Sequence, residues 1–251
     1  MINKNLKNKI ILITGSNGHI GKYLSKFFYK NQVKTILVDK DLKNKNNFGD
    51  YFPCNFENSH EVDVLIKKIK NKYETIDCII NNAAMVGDNF KKKNEDNLKF
   101  SILNWKKSLN INLVTVYHIC LGLENCLRKS KNSSIINISS IYSILGPDKN
   151  LYKNTSMINP ASYAASKGGL NSLTRWLACT LNNKIRVNTL SLGGILRNQN
   201  RNFLKKYCAK TIIGRMATEK DVVGPIVFLI SEDSKYITGQ NIVVDGGLSI
   251  K

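Results

Sequence analysis

Proline and histidine are scarce, four and three residues in a chain of 251. No Pro/Gly-rich linker or internal repeat divides the sequence, so it reads as a single domain over 1–251, long enough to bury a full core. Long apolar runs are missing, and no segment approaches the length that spans a bilayer, so no membrane partner is expected. The apolar Ile10–Ile13 that follows the Lys/Asn-rich opening is too short for a secretory h-region. It runs into a glycine turn rather than a cleavage site, and a cytoplasmic location is expected. The six cysteines, Cys54, Cys78, Cys120, Cys126, Cys179 and Cys208, show no C-x-x-C spacing, and His19, His60 and His118 form no ligand cluster. Small apolar residues in a reducing compartment are expected, and no metal.

Acidic residues are few: 18 Asp and Glu against 38 Lys and Arg, a formal charge of +20. Such an excess can serve nucleic acid, an acidic membrane surface or an anionic substrate. The lysines are dispersed among asparagines, as in Lys43–Asn47 and Lys91–Asn94, with no basic stripe and no interleaved aromatics to stack bases. A Lys/Asn compositional bias accounts for that pattern. Steering of a phosphate-bearing substrate ranks second, and specific nucleic-acid binding last.

What is present is regular alternation. Lys9–Thr14, Thr35–Asp39, Ile76–Asn81, Ser134–Ser139, Ile185–Leu190 and Asn241–Val244 read as strands buried on both faces, with Tyr51–Asn55 a further short one. Ile20–Lys30, Glu61–Lys72, Trp105–Lys129, Pro160–Leu181 and Glu219–Ile230 have helical length and period. Parallel strands need helical crossovers, so the expected fold is α/β: a Rossmann-type, doubly wound parallel sheet with helices on both faces.

In such folds the site lies at the carboxyl ends of the strands, where the strand order reverses. The stretch Thr14-Gly15-Ser16-Asn17-Gly18-His19-Ile20-Gly21 falls there, between the first strand and the first helix. Its glycines allow backbone N–H groups to approach a pyrophosphate, and the helix N-terminus adds attraction. Asp39 closes the second strand, where a carboxylate accepts from an adenosine ribose and repels a 2′-phosphate. Asn17 and His19 supply no fixed cation, although Lys40 is adjacent, so NAD is expected in preference to NADP. Tyr163 and Lys167 are four apart and share a helical face behind Asn159 and Pro160, read as cap and first helical residue. An ammonium within a few ångströms of a phenol would lower its pKa, by about 4 kcal/mol for about three units.

These elements together resemble the short-chain dehydrogenase/reductase family, of the classical type, from Lys9 to Gly247. Asn81-Asn82-Ala83-Ala84 is similar to the family's Asn-Asn-Ala-Gly element, and Asn112 to its helix asparagine. Ser140, at the end of Ile138-Ser139-Ser140, is similar to its catalytic serine. Val187-Asn188 and the closing Val243–Gly247 also match. The resemblance implies that Tyr163 acts as general acid/base, that Ser140 hydrogen-bonds the substrate oxygen, and that Lys167 tunes the tyrosine and holds the nicotinamide ribose. It also implies that Asn112 links a proton relay to solvent. The expected cofactor contacts are Gly15, Ser16, Asn17, Gly18, His19, Ile20, Gly21, Asp39, Asn55, Phe56, Asn82, Ala83, Tyr163, Lys167, Gly194 and Ile195. Homotetramers or homodimers are the implied assemblies.

The sequence departs from the family pattern in places. His19 stands where glycine is usual, giving the turn a spacing seen in extended members; Asn55 replaces an aspartate, and Leu192 a proline. The interval from Ser140 to Tyr163 is long, with the excess in Gly146–Met157. That segment and Arg197–Tyr207 read as two polar loops over the site, suited to a sugar, sugar phosphate or nucleotide sugar. The long interval, Gly193–Gln199 and Gly214–Ala217 resemble a bacterial subgroup associated with sialic-acid-like sugars and flagellin or surface-glycan modification. Two other functions stay open: a non-catalytic NAD(H)-binding regulator, and a nucleic-acid-binding protein on the same scaffold.

Overall fold

A computed structural model describes residues 6–41, 46–86, 102–155 and 159–251. Seven strands, β1 Ile10–Thr14, β2 Lys34–Asp39, β3 Asp50–Pro53, β4 Cys78–Asn81, β5 Ser133–Ser140, β6 Ile185–Leu192 and β7 Asn241–Val244, form one sheet in the order β3-β2-β1-β4-β5-β6-β7. Every neighbouring pair is parallel. The order reverses between β1 and β4, which opens a crevice at their carboxyl ends.

Alternation along each strand divides the core in two. Leu12, Ile36, Ile79, Ile135 and Val187 face one layer, where they pack with Val62, Ile69, Ile119, Leu170 and Leu177. The intervening Ile11, Ile13, Leu37, Ile80, Ile136 and Leu190 face the other, with Leu24, Phe28, Val222 and Ile226. The first layer comes from α2 Ser59–Lys72, α4 Thr115–Gly122 and α7 Ala161–Leu181; the second from α1 His19–Lys30 and α9 Glu219–Ile230. All residues of β5 and β6 are buried, as expected of strands covered on both faces. Each fully buried side chain such as Phe28 contributes about 1.5–3 kcal/mol.

Three expectations need correction. The helix read as Trp105–Lys129 is broken into α3 Ile102–Leu109, a wide π turn over Asn110–Val114, α4, and α5 Glu124–Arg128. The interruption follows from Asn112, whose amide accepts from Met85 N (2.7 Å) and donates to Met85 O (2.9 Å), drawing the loop after β4 into the helix. Pro160 caps α7 instead of beginning it, its carbonyl accepting from Ala164 N at 3.2 Å. The segment read as a loop through Tyr207 carries α8 Arg201–Lys210, and the Ser–Tyr insertion carries the single turn α6 Lys149–Tyr152. Asn200 Oδ1 caps α8 through Asn202 N at 2.8 Å, and Asp148 Oδ1 caps α6 through Asn150 N at 2.8 Å. Residues 156–157 of that insertion, and the lysine-rich runs at 43–45 and 91–94, lie outside the described residues. Among the described residues no helix is long and apolar enough to cross a membrane.

Candidate active site

A cleft of about 940 Å³ runs along the carboxyl edge of the sheet, from Asp39 past Ser140 and Tyr163 to Met216. Its first wall is the glycine turn. Gly15 has φ +66°, and a Cβ there would lie 2.8 Å from Ala83 Cα; one on Gly21 would lie 2.1 Å from the Gly15 carbonyl oxygen. Only glycine permits this approach, which seats α1 directly against the turn. Gly18, the N-cap, brings no side-chain hydrogen bond to the first turn of α1, whose amides and dipole remain suited to an anion. Thr14 Oγ1 accepts from Asn82 N and Ala83 N, both at 3.0 Å, and Asn82 Nδ2 donates to the Thr14 and Gly15 carbonyls at 3.0 and 3.1 Å. The Asn-Asn-Ala-Ala element thus pins the turn from below.

Asp39 faces the same cleft. Its Oδ2 accepts from Asn17 N at 2.9 Å and its Oδ1 from Asp41 N at 3.3 Å. The Asn17 side chain, expected to face the cofactor, is taken up largely by the fold. Its Nδ2 donates to Asp41 O (2.8 Å) and the Tyr51 hydroxyl (3.1 Å), and its Oδ1 accepts from Asn46 Nδ2 at 3.2 Å. Asn46 Nδ2 also donates to Ser16 O at 2.9 Å. Burial, with the Asp39 charge behind it, pushes the Tyr51 phenol up to about 12, so this latch stays neutral. Asn55 and Phe56 line the far end; Asn55 Oδ1 already accepts from Glu57 N at 3.1 Å. His19, Ile20, Gly18 and Ala83 also line the cleft, whereas Ser16 and Gly21 lie behind it. Ser16 is fully buried, and its Oγ has no partner among the described residues. A narrow glycine cradle, an uncapped helix start, an orphaned hydroxyl beneath it and a carboxylate at the next strand end fit a dinucleotide.

Beside this wall β5 and α7 bring Ser140, Tyr163 and Lys167 together on the cleft. Ser139 Oγ donates to Lys167 O at 3.2 Å, while Ser140 Oγ accepts from Tyr142 N at 3.3 Å and lies close enough to Tyr163 to draw its phenol pKa down. Lys167 is buried, its Nζ 5.8 Å from the Tyr163 ring centroid and donating to Ile138 O at 2.7 Å. Burial lowers Lys167 to about 8. The same burial raises Tyr163 above the ordinary phenol value, opposed by the Ser140 side chain. The expectation of a phenol lowered by Lys167 is not met here: desolvation of the ring sets the direction, and the Lys167 ammonium is bonded to the Ile138 carbonyl.

Asn112 does not reach the cleft wall. It is fully buried, and its Nδ2 also donates to Ser166 Oγ at 2.9 Å; Ser166 Oγ in turn donates to Tyr163 O at 2.8 Å. It holds the backbone of the Tyr163 turn against the loop after β4. Past β6, Gly194 and Ile195 line the cleft, with Gly194 N donating to the Tyr207 hydroxyl. Ala217 N donates to Gly194 O at 3.1 Å, and Leu196 N to Ala217 O at 2.7 Å.

The far wall differs from the polar loops expected. Leu151, Phe203, Tyr207 and Met216 form a third apolar cluster, with Tyr152 packed on it. Phe203 and Tyr207, one helical turn apart, turn inward, while Lys206 and Lys210 reach across to α6, Lys206 Nζ donating to Asn150 O at 2.9 Å and Lys210 pairing with Asp148. The amphipathic spacing of Phe203 and Tyr207 carried this signal. Tyr142, two residues after Ser140, was likewise legible as a wall residue; Tyr152 and Asn159 depend on how α6 and α8 meet.

The comparisons agree with this architecture. The family model described as enoyl-(acyl carrier protein) reductase matches residues 35–249. The post-translational flagellin modification protein A of Campylobacter coli is 34% identical, over 96% of this chain and 98% of that protein. The 3-oxoacyl-[acyl-carrier-protein] reductase FabG of Thermotoga maritima is 29% identical, over 98% and 99% of the two chains. A short chain dehydrogenase from Leptospira borgpetersenii, solved with bound NAD+, superposes with a TM-score of 0.83 at 29% identity, covering all of this chain and 98% of that one. The sheet order, the glycine turn and the Ser140–Tyr163–Lys167 cluster are thus those of an oxidoreductase scaffold, and the chain belongs to the short-chain dehydrogenase/reductase family.

Proposed function

We propose that the protein is an NAD-dependent oxidoreductase that transfers a hydride between nicotinamide and an alcohol or ketone carbon of a polar, sugar-type substrate. The observation that carries this reading is the meeting of Ser140, Tyr163 and Lys167 in one cleft with the glycine turn and Asp39. The turn from Gly15 to Gly21 would hold the pyrophosphate on its backbone amides and Asp39 the adenosine ribose. Asn55 and Phe56 would flank the adenine. Ala83, Gly194, Ile195 and Lys167 would hold the nicotinamide half. Asp39, followed by Asp41, repels a 2′-phosphate, which favours NAD over NADP. The bound nicotinamide supplies or accepts the hydride.

The protein's own residues handle the oxygen. Ser140 donates to the substrate oxygen and fixes it beside Tyr163. Tyr163, held neutral by burial, gives a proton to the forming alkoxide in reduction and takes it back in oxidation. Lys167, with a pKa of about 8, is mostly cationic at neutral pH and favours the phenolate that remains. Asn112 and Ser166 keep the Tyr163 turn in place. The flagellin modification relative and the phenolic wall of Tyr142, Tyr152 and Tyr207 support a hydroxyl-rich substrate. Exposed Val114, Tyr117 and Trp176, the last two in ring contact at 5.8 Å, support self-association through α4 and α7.

A second reading is favoured by Phe203 and Met216 on the wall and by the FabG relative: reduction of a 3-oxoacyl thioester. A panel of keto-sugars, nucleotide sugars and an acetoacetyl thioester, assayed with NADH, separates the two. Turnover of a sugar with little of the thioester is expected; the reverse order would transfer the assignment to acyl chemistry.

A further inference from the structure

Tyr142 and Tyr152 come from different segments, the 3-10 turn after β5 and α6, yet their hydroxyls are hydrogen-bonded to each other on the cleft wall. Tyr142 is anchored next to the reacting position, its backbone N–H donating to Ser140 Oγ at 3.3 Å. The Tyr152 ring is backed by Phe203, centroids 5.7 Å apart, so its hydroxyl is held in place by packing. Burial raises both phenols above their ordinary value, which keeps them as neutral hydrogen-bonding groups. Two phenols carry two O–H groups and their mutual bond uses one; the other is available to a ligand. Asn159, four residues before Tyr163 in the chain, lines the same cleft, and its buried Nδ2 has no partner among the described residues. An unsatisfied buried amide is costly unless a ligand or solvent meets it.

We propose that Tyr142, Tyr152 and Asn159 form a subsite for a second, neutral oxygen of the substrate, a hydroxyl neighbouring the carbon that reacts at Ser140 and Tyr163. This rests on the sugar-type reading of the cleft and narrows it: the favoured substrates are vicinal diols and α-hydroxy ketones, with the ring's apolar face towards Phe203. A phenol pair both donates and accepts, as a sugar hydroxyl does, and offers a carboxylate or phosphate no charge; Arg197 on the same cleft is already paired with Glu219. Discrimination arises because an analogue lacking the hydroxyl leaves the buried donors unpaired.

The test is binding to the full-length protein saturated with NAD+, titrated separately with trans-1,2-cyclohexanediol and with cyclohexanol and followed by protein NMR shifts. The wild type is expected to prefer the diol by about tenfold. Tyr152→Phe, which keeps the ring on Phe203, is expected to bring that ratio close to one, and Asn159→Ala to lower it in the same direction; thermal unfolding shows that each variant is folded. A diol preference that survives both substitutions overturns the subsite and leaves the sugar-type reading standing. A wild type that does not favour the diol at all overturns the subsite, and substrate turnover with the sugar panel then decides separately whether the broader reading falls too.

Discussion

The two ends of the cleft are built in different ways. At the cofactor end the backbone does most of the shaping: Gly15 and Gly21 allow strand and helix to touch, Thr14 and Asn82 pin the turn, and Asp39 stands at the end of the neighbouring strand. These residues stand at positions set by where β1, β2 and β4 stop. At the substrate end, side chains carried on the segments that follow β5 and β6 make the wall. Tyr142 meets Tyr152, Phe203 packs on Tyr152, and Asp148 pairs with Lys210 across 62 positions of the chain. One end can be read as a pattern, while the other exists only after α6 and α8 have docked. The chemical step sits between them, where β5 and α7 carry Ser140, Tyr163 and Lys167.

Substitutions can break this division, and the largest effect belongs to the shared centre. Tyr163→Phe removes the proton carrier and is expected to cut turnover about 10²–10⁴-fold, with NADH affinity measured by fluorescence changing far less. Loss of both together would mean that the ring organises the cofactor end as well. At the cofactor end, Gly21→Ala drives a methyl into the Gly15 carbonyl. Overpacking of this kind costs about 1–3 kcal/mol of folding stability, and the displaced turn is expected to weaken NADH binding, which calorimetry can measure. An unchanged affinity would show that the turn is looser than its geometry implies.

Lys167 sharpens the comparison through stability. Its folded-state pKa is lowered from 10.5 to about 8 by burial, so below about pH 8 the fold bears the cost of a buried charge. Between about 8 and 10.5 the unfolded chain binds the extra proton, and the wild type gains stability as pH rises. Lys167→Met is expected to abolish turnover yet stabilise the protein at pH 7 by about 1–3 kcal/mol, an advantage that shrinks towards pH 10. Urea denaturation at both pH values measures it; a destabilised variant would mean that the Ile138 hydrogen bond outweighs the desolvation. The smallest effect is expected at the far wall. Asp148→Ala unties α6 from α8 at an exposed ion pair, raising substrate KM about two- to fivefold without altering NADH affinity.

Much of the fold was legible because buried parallel strands are continuous apolar runs: β7 and α9 lie where their composition places them, and the other strands differ at their ends. The break after α3 was not legible, because it depends on Asn112 meeting Met85 from another segment. In the site, Ser140 could be chosen over Ser139, and the structure turns Ser139 towards Lys167 O. Asn17 lines the cleft, as its place in the turn implies, whereas its side-chain partners Asp41, Asn46 and Tyr51 are set by tertiary contacts that the turn alone does not show. The reversed shift of Tyr163 has the same origin: spacing gives the Tyr–Lys pair, whereas burial, which sets the sign, comes from the packed cleft.

The most direct test of the account is a fluorescence titration of the purified protein with NADH and, separately, NADPH, repeated for Asp39→Ala. The account predicts that NADH binds more tightly than NADPH and that the substitution erases the preference, since it removes the carboxylate that accepts from the ribose and repels a 2′-phosphate. Binding of neither nucleotide, or a preference for NADPH that Asp39→Ala leaves unchanged, would contradict it.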